Sequence, residues 1–500
     1  MSIMKTFSNT VESLASGNKI YADHQQRWDY FLEAYLGGQS WKDGSHLIKY
    51  MLETDSEYRY RLNSSHFENH CSSVISVYNS FLFREKPYRN LGSLSNLAEA
   101  QSFLRDADMD GTSLDNFMKD VATWSAVFGA AWVVVCKPYT GAATRADEMR
   151  YGVRPYLSLL TPLAVLDWNY VRQANGSYQL DYFRYVEDVN GTVKTIKEWT
   201  PDTIRTVVMN ETETAKPAIV EQTEEANGLG YIPAVCAYNK KAPVRGIGIS
   251  DLQDIADASK TIYNLLNELE QTIRLDSHPS LVCTPDTITG NGAGSIIHIS
   301  ENLDPQLKPY ILDYNGASVD SILKSIEHIS KSIEKMANIG SIRSTEAQRM
   351  SGVSQEQEFQ LLSARLSEKA DNLELAEEGI WRIFADYMAR PYDCEIEYPG
   401  SFNIRDIQNE YAQLESAKKA TDNTEVHRLI DRSIVELLGH EPDEVLSQFE
   451  PHVMTNPQTG ASTVAKTQAE HEALMTQGYI HPEEVRTEMD DDTGLNNNNS

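Results

Sequence analysis

Cysteine is scarce in this 500-residue chain: five residues, Cys71, Cys136, Cys236, Cys283 and Cys394, odd in number and without a close pair. That spacing excludes a disulfide framework and a zinc site built on paired cysteines, and it suits a reducing compartment. Long apolar runs are missing too. No stretch approaches the ~18 apolar residues of a membrane-spanning helix. The first residues, Met1-Ser2-Ile3-Met4-Lys5, lack the apolar core of a secretory signal, so the expectation is a product made in a cytoplasm with no membrane partner. Cations are few as well. Lys and Arg number 44 against 73 Asp and Glu, a formal charge of −29. A domain that grips nucleic acid needs cations to displace counterions from phosphates, so the balance counts against one. It leaves two readings open: a well-solvated acidic surface, or a surface that lies beside DNA without sticking. With a Debye length of ~8–10 Å only charges close to the duplex would matter, and net charge does not choose between them.

What is present is core material. An apolar fraction of 41% with 9% aromatics supports substantial cores, and the length predicts two to four domains. Residues 21–36 place Trp28, Phe31, Ala34 and Tyr35 at helical spacing. A second helix is predicted over 62–83, with Phe67, Cys71, Val74, Ile75, Tyr78 and Leu82 on one stripe, ended by Pro87. Thr112 or Ser113 caps a third, bearing Leu114, Phe117, Met118, Val121 and Trp124. The period then changes. The run AAWVVVCK (130–137) reads as a buried strand, followed by strands at 156–160, 165–168, 178–186, 193–199 and 232–238, with Asn175-Gly176 and Asn190-Gly191 as hairpin turns.

After Gly246 and Gly248 helical spacing returns, from Ile249 through Ile273, with Pro279 as the stop. A small insert of short strands spans 280–314. A second helix begins near Ser318, and its apolar positions Val319, Ile322, Ile326, Ile329, Ile333 and Met336 recur in steps of three and four. That narrow seam suits packing against another helix. A polar stretch with glycines at 340 and 352 intervenes. A third long helix then runs from about 354 to 389, followed by a short strand at 394–398 and helices at about 403–420 and 424–438. Beyond about 453 the pattern thins toward the low-complexity terminus DDDTGLNNNNS.

Each stretch that resembles a catalytic motif lacks a required part. The run Gly290-Asn291-Gly292-Ala293-Gly294 looks like a phosphate cradle, but strand residues follow it rather than a helix N-terminus, and no Gly-Lys-Ser/Thr appears. A hairpin tip is the better reading. In HFENH, His66 and His70 stand one helical turn apart, but Phe67 occupies the place where a zinc protease carries Glu; a polar helix face is expected. No Gly-x-Ser-x-Gly elbow occurs. The chain reads as a non-enzyme without cofactor or metal.

Four stretches resemble the portal proteins of tailed bacteriophages, a family that includes the portals of long-tailed phages. They are YRYRLNSSHFENHCSSVISVYNSFLFREKP (58–87), RPYLSLLTPLAVLDWNYV (154–171), GIGISDLQDIADASKTIYNLLNELEQTI (246–273), and the helical 401–438 region. The resemblance implies an α+β portal fold, with a wing over 1–245 (helices 20–128, β region 130–240) and stem helices at 246–277 and 317–339. It implies a clip at 278–316, a tunnel loop at 340–354, a long wing helix at 355–390, a crown at 391–452 and a C-terminal tail at 453–500. It further implies a dodecameric homo-oligomer at one capsid vertex of the virion, assembled in the host cytoplasm. Double-stranded DNA would pass through without sequence specificity, and the major capsid protein, terminase and head–tail adaptor would be partners. Ser341, Arg343, Arg349, Met350 and Gly352 would then belong to the tunnel loop, and Lys324, Lys331 and Lys335 would face the channel. Gly290, Asn291, Gly292 and Gly294 would form the clip tip, and the 319–336 seam would pack stem helices together. The crown is short for the family and the tail acidic and Asn-rich. The alternative class is a head–tail or baseplate component that never encloses DNA.

Overall fold

A computed structural model describes residues 7, 11–138, 145–210, 217–277, 280–284, 298, 304–312, 317–340, 352–400, 402, 407–420, 423–437, 452–456, 459–465 and 468–479. The fold class is α+β, with helices and antiparallel sheets. The chain divides into two compact units, 1–403 and 404–500.

In the first unit, α1 (Val11–Ala15), α2 (Lys19–Leu36), α3 (Asp55–Ser64), α4 (His70–Leu82), α5 (Ala98–Arg105) and α6 (Leu114–Phe128) form the N-terminal helices. Their starts are chemically set. The Asn18 side chain accepts from the Tyr21 amide at 2.7 Å, Thr54 and Glu57 form a reciprocal capping box, and Ser113 caps α6. The single helix expected over 62–83 is two. Ser65 is extended, Phe67 leaves the stripe to stack on Trp41 with ring centroids 3.9 Å apart, and the Asn69 side chain restarts the helix by accepting from the Ser72 amide. His66 is therefore not helical, and the expected one-turn spacing from His70 is not formed.

Two sheets follow. One has the order β3-β2-β9, from β2 (Ala130–Cys136), β3 (Tyr156–Leu160) and β9 (Ala234–Tyr238). Every residue of β2 is buried, as expected for a central strand that reads as a continuous apolar run. β9 starts at Ala234 rather than 232, after Pro233, which has no amide to donate. The other is an antiparallel meander of β4 (Val165–Arg172), β5 (Tyr178–Asn190), β6 (Val193–Trp199), β7 (Thr203–Asn210) and β8 (Ala218–Ala226), in that order. Its last two strands had no counterpart among the expected elements. Strand β1 (Tyr88–Asn90) and the short helix α7 (Arg145–Arg150) complete this part.

Helix α8 (Ile255–Ser277) is followed by the antiparallel pair β10 (Ser280–Val282) and β11 (Tyr310–Leu312), then by α9 (Ala317–Met336) packed on α8. Helix α10 (Gly352–Tyr387), about 54 Å long at 1.5 Å per residue, crosses β2, β9 and α4, and β12 (Glu395–Glu397) returns to pair with β1. Three boundaries differ from expectation. Residues 246–254 are not helical, because their backbone and side chains bond to the end of α6 and to the 239–242 strand end. The helix expected over 317–339 closes at Met336, and Asn338 turns left-handed at φ 57°. Gly352 is the first residue of α10, not a loop residue.

The second unit contains α11 (Ile407–Ala420), α12 (Thr424–Leu437), the hairpin of β13 (His452–Thr455) and β14 (Ser462–Ala465), and α13 (Gln468–Thr476). The thinning expected beyond 453 is thus corrected over 453–476. The acidic, Asn-rich end lies outside the described residues.

Candidate functional site: the helical hairpin and its polar base

The inner part of α8 is pinned to the N-terminal helices by polar pegs. Tyr263 Oη donates to the Trp41 carbonyl at 2.7 Å. Asn264 Oδ1 accepts from the Ile48 amide at 2.8 Å, and Tyr30 Oη donates to the Ala256 carbonyl at 2.9 Å. Buried Arg61 forks onto Glu53, donates to Asn267 Oδ1 at 2.6 Å, and lies over the Tyr50 ring. Its hydrogen bonds hold the Glu53 carboxyl below the usual range against the opposing effect of burial.

The base of the hairpin is a buried charge cluster. Asp251, just before α8, accepts from Lys369 and Arg365 of α10 and from Asn239 at the end of β9; the Arg365 and Asn239 contacts are both 3.0 Å. Arg365 also donates to the Met336 carbonyl at the end of α9 at 3.0 Å, and Tyr78 Oη donates to the Ala337 carbonyl at 2.6 Å. One guanidinium thus ties the start of α8, the end of α9 and the long helix together. Burial pushes the Asp251 carboxyl up, but Lys369 and Arg365 outweigh it, so the group sits below its ordinary value and is ionised. Burial pulls the Lys369 ammonium down, with Asp251 opposing. The convergence of three donors on one carboxylate favours the charged pair. The site needs close backbone approach: a Cβ on Gly248 would lie 1.7 Å from the Gly129 carbonyl oxygen, and Gly129 caps α6 at φ 91°. A cavity of about 630 Å³ opens here, lined by Lys240, Gln253, Asp254, Met336, Asn338 and Glu368 among others.

Along α9 burial is graded. Ile333 is 1% exposed inside the chain's own core, and Ile326 and Ile329 lean against that core. Val319 and Ile322 are half-buried, Met336 is 40% exposed, and Leu323, outside the expected seam, is 46% exposed. Lys324, Lys331 and Lys335 are exposed; Lys331 pairs with Glu327 one turn earlier at 2.9 Å. Ser341, Arg343, Arg349 and Met350 lie outside the described residues, as do Gly290, Asn291, Gly292 and Gly294. His70 lies 3.5 Å from Glu68, and among the described residues no three His, Cys, Asp or Glu side chains form a metal-holding group. No described helix is long and apolar enough to cross a membrane.

The Asp251 cluster was not anticipated. Its cationic partners Arg365 and Lys369 lie 114 and 118 residues away, with only their i, i+4 spacing on one helix as a signal.

No protein-family model matches the chain, and no curated protein does. Among solved structures, a chain from the neck of an empty gene transfer agent particle is similar at 11% identity and TM-score 0.40, covering 79% of this chain and 98% of that one. A chain from the virion of a native gene transfer agent particle is similar at 12% identity and TM-score 0.38, covering 72% and 89%. A chain from the neck of a native particle, computed with C12 symmetry, gives 9%, 0.38, 72% and 89%.

Proposed function

We propose that the chain is a portal subunit. In this reading copies form a ring at one capsid vertex, the genome passes through it during packaging and ejection, and terminase and then head–tail adaptors dock on it. Its role is conduit and platform, without covalent chemistry.

One observation carries the reading. No side chain between 317 and 332 is buried, although Val319, Ile322, Leu323, Ile326 and Ile329 form an apolar stripe there. An amphipathic helix gains stability by burying such a stripe, and with α8 packed on α9 its residues are still only half-buried or, at Leu323, exposed, so a neighbouring hairpin is the natural cover. The polar base supports this. It fixes both hairpin helices to α10, so that a contact along α9 is rigidly held by the rest of the first unit.

Mass photometry of the purified chain tests it. A discrete species at an integral multiple of the protomer mass is expected, and Ile322→Asp with Leu323→Asp returns single chains. A solitary wild-type chain at micromolar concentration would remove the reading, and a closed assembly without a central passage would favour a head–tail component that does not enclose DNA.

A further inference from the structure

The five-stranded sheet has edges of opposite charge. Its β4 edge meets the loop 239–250, which holds Lys240, Lys241 and Arg245 and no acid. The Trp168 indole of β4 donates to the Arg245 carbonyl at 2.9 Å, and the Arg245 guanidinium lies 3.7 Å over the Tyr178 ring, with Arg172 5.8 Å from the same ring. All four cations are exposed, beside exposed Val244 and Tyr178. In a chain of charge −29 this is a local reversal of sign.

The far edge is β8. Each of its nine residues is exposed. It carries Glu221, Glu224 and Glu225 with no Lys or Arg, beside Ile219 and Val220, the latter 66% exposed. The loop on one edge and the strand on the other each offer apolar contact with side chains of one sign, although Lys240 also lines the cavity that holds Asp254 and Glu368. Pairing two β8 edges about a two-fold axis would bring glutamates toward glutamates, which is destabilising. Pairing unlike edges is head-to-tail, and a head-to-tail contact that closes makes a ring.

We infer that the Lys240–Lys241–Arg245 loop of one copy docks on the β8 edge of the next copy, and that this contact sets the direction of assembly. The inference rests on the ring reading above and adds to it which surfaces meet. Rim charges alone contribute little; here they select the partner edge while Val244, Tyr178, Ile219 and Val220 supply apolar area.

The test uses two full-length charge reversals in mass photometry, with circular dichroism to follow folding. One carries Lys240→Glu, Lys241→Glu and Arg245→Glu; the other carries Glu221→Lys, Glu224→Lys and Glu225→Lys. Each alone presents like charges at the contact and is expected to need at least ~tenfold more protein to assemble. Mixed together they restore complementarity at both contacts and form alternating rings, a recovery that misfolded chains would not show. Wild-type-like assembly of either variant alone, or no recovery on mixing, overturns the inference while leaving the ring reading standing. Loss of duplex-DNA retention by the first variant with assembly unchanged also overturns it, and assigns the loop to a polyanion. A wild-type chain that stays single overturns both.

Discussion

Asp251→Ala removes the acceptor on which Lys369, Arg365 and Asn239 converge, and the consequence can be worked through. Asp251 is 3% exposed at its side chain and Lys369 8%, so solvent screens neither. The variant leaves the Lys369 ammonium buried with only Asn239 Oδ1 as a remaining acceptor, and breaking a buried pair from one side costs about 3–5 kcal/mol. Over the 403 residues of the first unit, ~2.1 cal/mol/K of unfolding entropy per residue gives about 0.85 kcal/mol/K, so its melting midpoint falls by about 4–6 °C. Lys369→Met should cost less, because Asp251 keeps Arg365 and Asn239 and the apolar replacement fills similar space. Differential scanning calorimetry of wild type and both variants checks the ranking. An Asp251→Ala midpoint within 1 °C of wild type, or a larger drop for Lys369→Met, would refute the role given to this cluster.

The same carboxyl has a pH signature. Its folded value is lowered, so the unfolded chain binds the proton first on acidification. The stabilisation is present above about pH 4 and lost as pH falls through the folded value; the stability difference between wild type and Asp251→Asn should shrink in urea titrations across that window. Gly248→Ala forces a Cβ into the Gly129 carbonyl, an overpacking worth about 1–3 kcal/mol, read as a lowered thermal midpoint. Leu323→Asp should leave the folded secondary structure of the single chain, read by circular dichroism, unchanged, because that side chain is exposed there, while abolishing assembly. Ile333→Asp should instead unfold the chain, because that side chain is already enclosed; equal effects on folding in the two variants would contradict the burial gradient along α9.

The elements legible in the sequence are those whose side chains carry the pattern. Strand β2 is apolar at nearly every position because both its faces are covered, and the 3–4 spacing of 319–336 marks one helical stripe. Strand β8 was invisible for the opposite reason: AIVEQTEEA is exposed throughout and belongs to the sheet through its backbone alone. The break at 65–69 was masked by Phe67, whose apolar character fits the stripe although its ring goes to Trp41. How the stripe on α9 divides between its own core and open surface depends on where α8 lies, which spacing does not encode. The Asp251 cluster joins residues more than a hundred positions apart, and only the tertiary fold brings them together.

The central claim is that copies of this chain close around a hollow bore. Single-particle images of the purified full-length protein, viewed down the assembly axis, test it most directly. A rotationally symmetric ring with an open centre is the expected view. Isolated particles the size of one chain, or a closed disc with no passage, would contradict it.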